Sequence, residues 1–267
     1  MEIIVLGLSH KSAPIEIREK LSFSAKTLNP ALLSLNEYPS IEENIILSTC
    51  NRVEIYASVS DARKAVEEIG DFLSRFHKIE PGLFKECLYS FSGPQALRHL
   101  FRVASSLDSM MVGETQILGQ LKDAFLYAKE LSTTGKTLNR FFDEALKIGK
   151  RVRNQTQIGR GAVSISSAAI ELAKEIFDNL KDKKVLIIGA GKIAELAVEN
   201  LYSKGAKTVL VANRTFEKAK ELAKLFEGKA VKFKDIFEHI EDADILISST
   251  SAPHFIIKEE HINKIME

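Results

Sequence analysis

The stretch Lys184-Val185-Leu186-Ile187-Ile188-Gly189-Ala190-Gly191, followed by Lys192-Ile193-Ala194, decides the fold. A short aliphatic run reads as a buried strand, and the glycines stop it before helical sequence begins. In the pattern Gly189-x-Gly191-x-x-Ala194 the first glycine makes a tight turn. The second lets backbone approach a pyrophosphate, and the small third residue lets helix pack on strand. The helix start adds unpaired N–H groups and a positive dipole end. Gly189, Ala190, Gly191, Lys192, Ile193 and Ala194 are therefore candidate dinucleotide-binding residues. The competing reading is a glycine turn with no ligand.

Downstream the pattern repeats. Strands are expected at 185–188, 208–212, 230–233 and 245–248, alternating with helices at 194–203, 216–226 and 236–240. This alternation predicts a parallel sheet with right-handed crossovers, a Rossmann-type domain over residues 161–267. Its second strand ends Val211-Ala212-Asn213-Arg214-Thr215. NAD sites usually place an acid there; here Arg214 is suited to a 2′-phosphate through paired, charge-assisted bonds. Asn213, Arg214 and Thr215 thus point to NADPH, unless Arg214 only caps a turn in solvent.

Upstream, residues 1–160 form a separate catalytic domain, with the boundary in the polar stretch 155–164. Strands at 3–8, 44–49, 53–59 and 84–91, and helices at 15–21, 24–36 and 61–77, give the order β-α-β-β-α-β. That order predicts an α/β sandwich of the split βαβ type. The strand at 53–59 alternates apolar Val53, Ile55, Ala57 and Val59 with Glu54, Tyr56 and Ser58. Added helices follow: one starting near Pro94 with a stripe of Leu97, Leu100, Phe101, Ala104 and Leu107, then 118–131 and 137–152. The last has a basic face of Lys136, Arg140, Lys147, Lys150, Arg151 and Arg153, with Arg160 beyond it. A helix at 166–179 leads into the second domain.

Composition bounds the chemistry. The chain has 267 residues, 45% apolar and 27% charged, with a net charge of +1. That is a globular protein with a real core and no overall bias toward nucleic acid. Two cysteines, Cys50 and Cys87, without paired spacing argue against a disulfide framework and a zinc site. No metal site is expected. No signal peptide or membrane span is legible, so a reducing, cytoplasmic setting is expected.

Three constellations before the glycine turn carry chemistry. In Ser48-Thr49-Cys50-Asn51-Arg52, a cysteine ends an apolar strand among polar neighbours, and Arg52 would favour its thiolate. A buried, inert cysteine is the alternative, and Cys87 reads that way. His99 borders an apolar stripe; it is either a half-buried acid/base or a satisfied boundary histidine. Between two helices, Ser109, Glu114, Thr115, Gln116 and Gln120 cluster in a glycine-broken connection that reads as a binding loop or a plain connector.

Together these motifs resemble the glutamyl-tRNA reductase family, the first enzymes of the C5 route to tetrapyrroles. The resemblance rests on Gly7-Leu8-Ser9-His10-Lys11, Ser48-Thr49-Cys50-Asn51-Arg52, Leu107-Asp108-Ser109 with Gly113-Glu114-Thr115-Gln116-Ile117-Leu118-Gly119-Gln120, Gly189-Ala190-Gly191-Lys192 and Ala212-Asn213-Arg214-Thr215. It implies Cys50 as nucleophile and His99 as an activity-supporting residue. Thr49, Asn51, Arg52, Ser109, Glu114, Thr115, Gln116 and Gln120 would line the glutamyl pocket. It further implies reduction of glutamyl-tRNA(Glu) to glutamate-1-semialdehyde by NADPH through a Cys50 thioester, which requires the nicotinamide to reach Cys50. The semialdehyde would pass to the next pathway enzyme. The basic helix face is a candidate tRNA-backbone contact, or a solvated face. The resemblance implies a long helix and a dimerisation domain after the nucleotide domain, which residues 1–267 are expected not to include. Competing expectations are a shikimate-dehydrogenase-like NADP oxidoreductase, and a truncated non-catalytic regulator that binds tRNA or NADPH.

Overall fold

A computed structural model describes residues 2–159, 165–177, 179–181, 183–206, 208–250, 252 and 255–266. The chain divides into two compact units, Met1–Val163 and Ser164–Glu267. The expected boundary at 160/161 falls outside the described residues.

The first unit runs β1 (Glu2–Ser9), α1 (Ile15–Lys20), α2 (Ala25–Leu35), β2 (Ile41–Ser48), β3 (Arg52–Val59), α3 (Ala62–His77), β4 (Tyr89–Ser92), α4 (Gly93–Ala104), α5 (Gln116–Glu130) and α6 (Lys136–Gln155). Its sheet has the order β2-β3-β1-β4, with every neighbouring pair antiparallel. This is the split βαβ arrangement with added helices. β2 and β3 form a hairpin, and Asp61 caps α3 through its carboxylate. β4 is shorter than its sequence suggests. Residues Pro81–Leu83 and Lys85–Cys87 form 3-10 turns, because the run is punctuated by Pro81, Gly82 and local polar residues.

β3 is buried on both of its faces. Every residue from Arg52 to Val59 is buried, including those on its polar face. Helices α2 and α3 pack on the sheet, and α4, α5 and α6 form a second layer against it. Tyr56 on the polar face meets Phe142 of α6 edge-on at 5.2 Å between ring centres. Polar side chains buried this way must find partners, which they do in the site below. Leu107, expected on the α4 stripe, lies beyond the helix and is exposed.

The second unit runs α7 (Ile165–Ile176), β5 (Lys184–Ile188), α8 (Lys192–Ser203), β6 (Thr208–Asn213), α9 (Phe216–Leu225), β7 (Lys229–Lys232), α10 (Ile236–Ile240), β8 (Ile245–Ser248) and α11 (Glu259–Met266). The sheet order is β7-β6-β5-β8, all parallel. Alternate side chains feed two cores: Val185 and Ile187 pack with α7, α8 and α9, while Leu186 and Ile188 pack with α10 and Ile265 of α11. The order reverses between β5 and β8, and ligands of such sheets bind at that switch point. Among the described residues no helix is long and apolar enough to cross a membrane.

Candidate active site

Cys50 sits at the tip of the β2–β3 hairpin and is exposed. Thr49 shapes the tip: its Oγ1 accepts from the N–H groups of Asn51 (3.2 Å) and Arg52 (3.1 Å), and its own N–H donates to the Arg52 carbonyl at 2.8 Å. The thiol is held above its ordinary pKa. Partial desolvation is the main cause, and the Glu114 carboxylate adds to it. The opposing cation is Arg18 of α1, not Arg52. The Arg18 guanidinium donates to the Cys50 carbonyl at 2.6 Å and to Asn51 Oδ1 at 3.2 Å. Thus the expectation that Arg52 favours the thiolate is corrected: its side chain is 1% exposed and committed elsewhere.

That commitment is the polar face of β3. Arg52, Glu54 and Tyr56 alternate onto one side of the strand. Glu54, fully buried, collects four partners. Arg52 donates to its Oε1 at 2.6 Å, Tyr56 Oη donates to its Oε2 at 2.5 Å, Tyr89 Oη also donates to Oε1, and His99 Nε2 lies 2.7 Å from Oε1. Desolvation pushes the Glu54 carboxyl up, but Arg52, His99 and Tyr56 outweigh it and hold it at about 2. Burial and the Glu54 charge keep both phenols well above their ordinary range. The second Arg52 nitrogen donates to the Asp108 carbonyl, and the Asp108 carboxylate pairs with Lys11. His99 Nδ1 is 3.6 Å from Asp108 Oδ2. His99 is therefore buried, 7% exposed, and lies on the packed face of α4 rather than at its border.

The connection before α5 completes this end of the unit. Ser109 is buried and, among the described residues, its Oγ has no hydrogen-bond partner. Such an orphaned hydroxyl suits a ligand group. Glu114 is half-buried, while Thr115 and Gln116 are exposed at the start of α5 and Gln120 is half-buried one turn later. Arg153, expected on an RNA-facing surface, turns inward. It donates to the Thr115 carbonyl (3.2 Å), to Ser106 Oγ (2.8 Å) and to the Glu114 carbonyl. Of the remaining basic residues of α6, Lys147 pairs with Glu144 at 2.7 Å, and Lys136, Arg140, Lys150 and Arg151 are exposed. Arg160 lies outside the described residues.

In the second unit, Gly189, Ala190, Gly191, Ile193, Asn213, Arg214 and Thr215 line one cavity of about 540 Å³, with Lys218, Phe233, Ser249, Thr250 and Ile256. It opens at the carboxyl ends of β5, β6 and β8. Gly189 has φ +119°, and a Cβ there would lie 1.9 Å from the Ser249 carbonyl oxygen, so only glycine fits. A Cβ on Gly191 would meet nothing within 4 Å, which leaves the start of α8 open to a ligand. Ala194 is buried against the strand. The Lys192 side chain lies outside the described residues. Arg214 and Lys218 are both exposed cations on this cavity. A dinucleotide phosphate fits these residues.

Sequence reasoning missed Arg18, Glu54 and Lys218 as site residues. Glu54 left a signal, an acid on a strand between Arg52 and Tyr56 at a spacing of two. Lys218 left another, a cation one helical turn after Arg214. Arg18 left none, because only topology brings α1 to Cys50.

Residues 6–156 match the model of the glutamyl-tRNAGlu reductase N-terminal domain, and residues 171–267 match that of shikimate / quinate 5-dehydrogenase. Glutamyl-tRNA reductases of Geotalea uraniireducens and Geobacter sulfurreducens are 49% and 48% identical over 266 residues. Each match takes in all of this chain and 61% of the relative. The chain thus spans about three-fifths of the length of these relatives. The solved glutamyl-tRNA reductase of Methanopyrus kandleri is similar over 99% of this chain and 62% of its own, at 39% identity and a TM-score of 0.59. With its Cys50 hairpin, buried Glu54 cluster and dehydrogenase-type nucleotide domain, this chain belongs to the glutamyl-tRNA reductase family.

Proposed function

We propose that the chain carries the catalytic and nucleotide-binding parts of an NADPH-dependent glutamyl-tRNA reductase. The observation that carries this reading is an exposed thiol at a hairpin tip, within the field of Arg18 and Glu114, in a chain of this family. The Cys50 thiolate attacks the carbonyl of the glutamyl ester. The C–O bond to the terminal ribose breaks, the released tRNA hydroxyl takes a proton, and a glutamyl thioester remains. A thioester accepts hydride more readily than an oxygen ester, which is the gain from covalent catalysis. When bound, NADPH would supply that hydride; the part of Cys50 would be to hold the acyl group as the thioester and to leave as thiolate when the semialdehyde is released. Gly189, Gly191 and the start of α8 would hold the pyrophosphate of NADPH, and Arg214 with Thr215 and Lys218 would hold a 2′-phosphate. The reactive aldehyde favours direct hand-over to the next enzyme.

Ser109 Oγ, with Thr49, Asn51, Glu114, Thr115, Gln116 and Gln120, would bind the glutamyl group. Both His99 nitrogens face carboxylates, so His99 acts by holding the Arg52–Glu54–Asp108 cluster in place rather than by moving a proton at the ester.

The test is incubation with charged glutamyl-tRNA, with and without NADPH. A Cys50 adduct and semialdehyde are expected, and both vanish in Cys50→Ser. Folded protein that forms no adduct would sink the proposal. The match of residues 171–267 to shikimate / quinate 5-dehydrogenase favours one alternative, a dehydrogenase with no use for Cys50. Full reductase activity in Cys50→Ser would establish it.

A further inference from the structure

A second cavity, of about 330 Å³, lies in the first unit between the start of α2, the end of β2 and α5. Phe23, Leu28, Ile46, Leu47, Ala124 and Tyr127 supply apolar walls. Its polar residues are Ser48, Gln120 and Asp123. We propose that this cavity receives the adenine base of the nucleoside that Cys50 displaces. The proposal deepens the glutamyl-tRNA reading and rests on it.

Position comes first. Ser48 lines the cavity two residues before Cys50, and its Oγ accepts from the Phe23 N–H at 2.9 Å. The cavity wall and the nucleophile are thus one piece of chain. The group leaving the Cys50 carbonyl is the terminal ribose of a tRNA, which ends in adenosine. Its base must therefore lie close to the hairpin tip.

Shape and polarity come next. About 330 Å³ is at the small end of ligand sites, ~300–1,000 Å³, and suits one nucleoside. Phe23 packs against two other rings, with Phe72 at 6.3 Å and His77 at 4.6 Å between centres, so this wall is held in place. Tyr127 is half-buried, and offers a second aromatic surface. Gln120, Asp123, Ala124 and Tyr127 recur at helical spacing and place one stripe of α5 on the cavity. The Asp123 carboxylate can accept from the adenine N6 amine, a donor that inosine lacks. The glutamyl carboxylate is excluded: none of the cavity's residues is a cation, and Asp123 would repel it.

The experiment follows Cys50 thioester formation on this chain with three esters: glutamyl-adenosine, glutamyl-inosine and glutamyl ethyl ester. Glutamyl-adenosine is expected to react roughly ten- to a hundredfold faster in kcat/KM than the other two. Ala124→Phe, which fills the cavity, should collapse that ratio toward one. Equal rates for adenosine and inosine esters, or a ratio that survives Ala124→Phe, would overturn the base pocket while leaving Cys50 as nucleophile. Thioester from none of the three esters would overturn the Cys50 reading itself.

Discussion

Cys50 is governed by two opposed neighbours. Desolvation and Glu114 raise its pKa, while Arg18 lowers it, so less thiolate exists at a given pH than for a free cysteine. Glu114→Gln should therefore move the pH midpoint of iodoacetamide alkylation down, and Arg18→Ala should move it up; the opposite shifts would refute the assignment. Glu54 is the reverse case. Its folded pKa, about 2, lies below its ordinary value of 4.5, so its contribution to stability is complete above that value. It is lost as pH falls through about 2. At neutral pH Glu54→Gln leaves the buried Arg52 charge unpaired, and urea unfolding should show a loss of about 3–5 kcal/mol. Of these residues, Cys50 was legible from its polar flanks. Glu54 was missed because alternation alone cannot tell a solvated strand face from one covered by a second layer of helices. His99 was misjudged for the same reason: its packed face on α4 includes the polar partners of that covered strand.

Helix α6 joins several of these residues from a distance. Its start is capped by Glu43 of β2, whose carboxylate accepts from the N–H groups of Gly135 (2.8 Å), Thr137 (3.0 Å) and Leu138 (2.7 Å). Near its other end, Arg153 holds the connection that carries Glu114 and Thr115. Just past the helix, Gly159 meets Gly113 backbone to backbone; both have positive φ, and a Cβ on either would come within 2.8 Å of the other's main chain. The loop between α4 and α5 is thus clasped twice. Arg153→Met should raise KM for a glutamyl ester roughly tenfold, by loosening the binding groups without removing Cys50. Amide hydrogen exchange across 106–116 should quicken in the same variant. Unchanged exchange would show that the clasp does not order the loop. The periodicity of α6 was legible, but the direction of Arg153 was not, since its partners lie 38 to 47 residues away.

On the scale of the molecule, each unit has its own core: Ile4, Val5, Tyr56 and Phe142 belong to one, Val185, Ile187 and Val211 to another. The glycine turn and the alternating elements after it made the parallel sheet legible. The order β-α-β-β-α-β made the sheet of the first unit legible as well; what it did not show is that the helices following that sheet cover its polar face. Cores of this kind predict separable function. Residues 1–159 alone should still form the Cys50 thioester, and the second unit should bind NADPH. In the latter, Arg214→Ala with Lys218→Ala should weaken NADPH roughly tenfold to a hundredfold by calorimetry and leave NADH little changed. Similar losses for both cofactors would place the 2′-phosphate elsewhere. The Glu54 cluster has a further consequence for how such a chain can change over generations. One carboxylate serves Arg52, Tyr56, Tyr89 and His99, drawn from two strands and a helix. No single replacement at Glu54 leaves all four content, so the tolerated amino acid at each position depends on the other four. Routes away from this set pass through intermediates with a stranded charge, and the five residues should be inherited together or exchanged together.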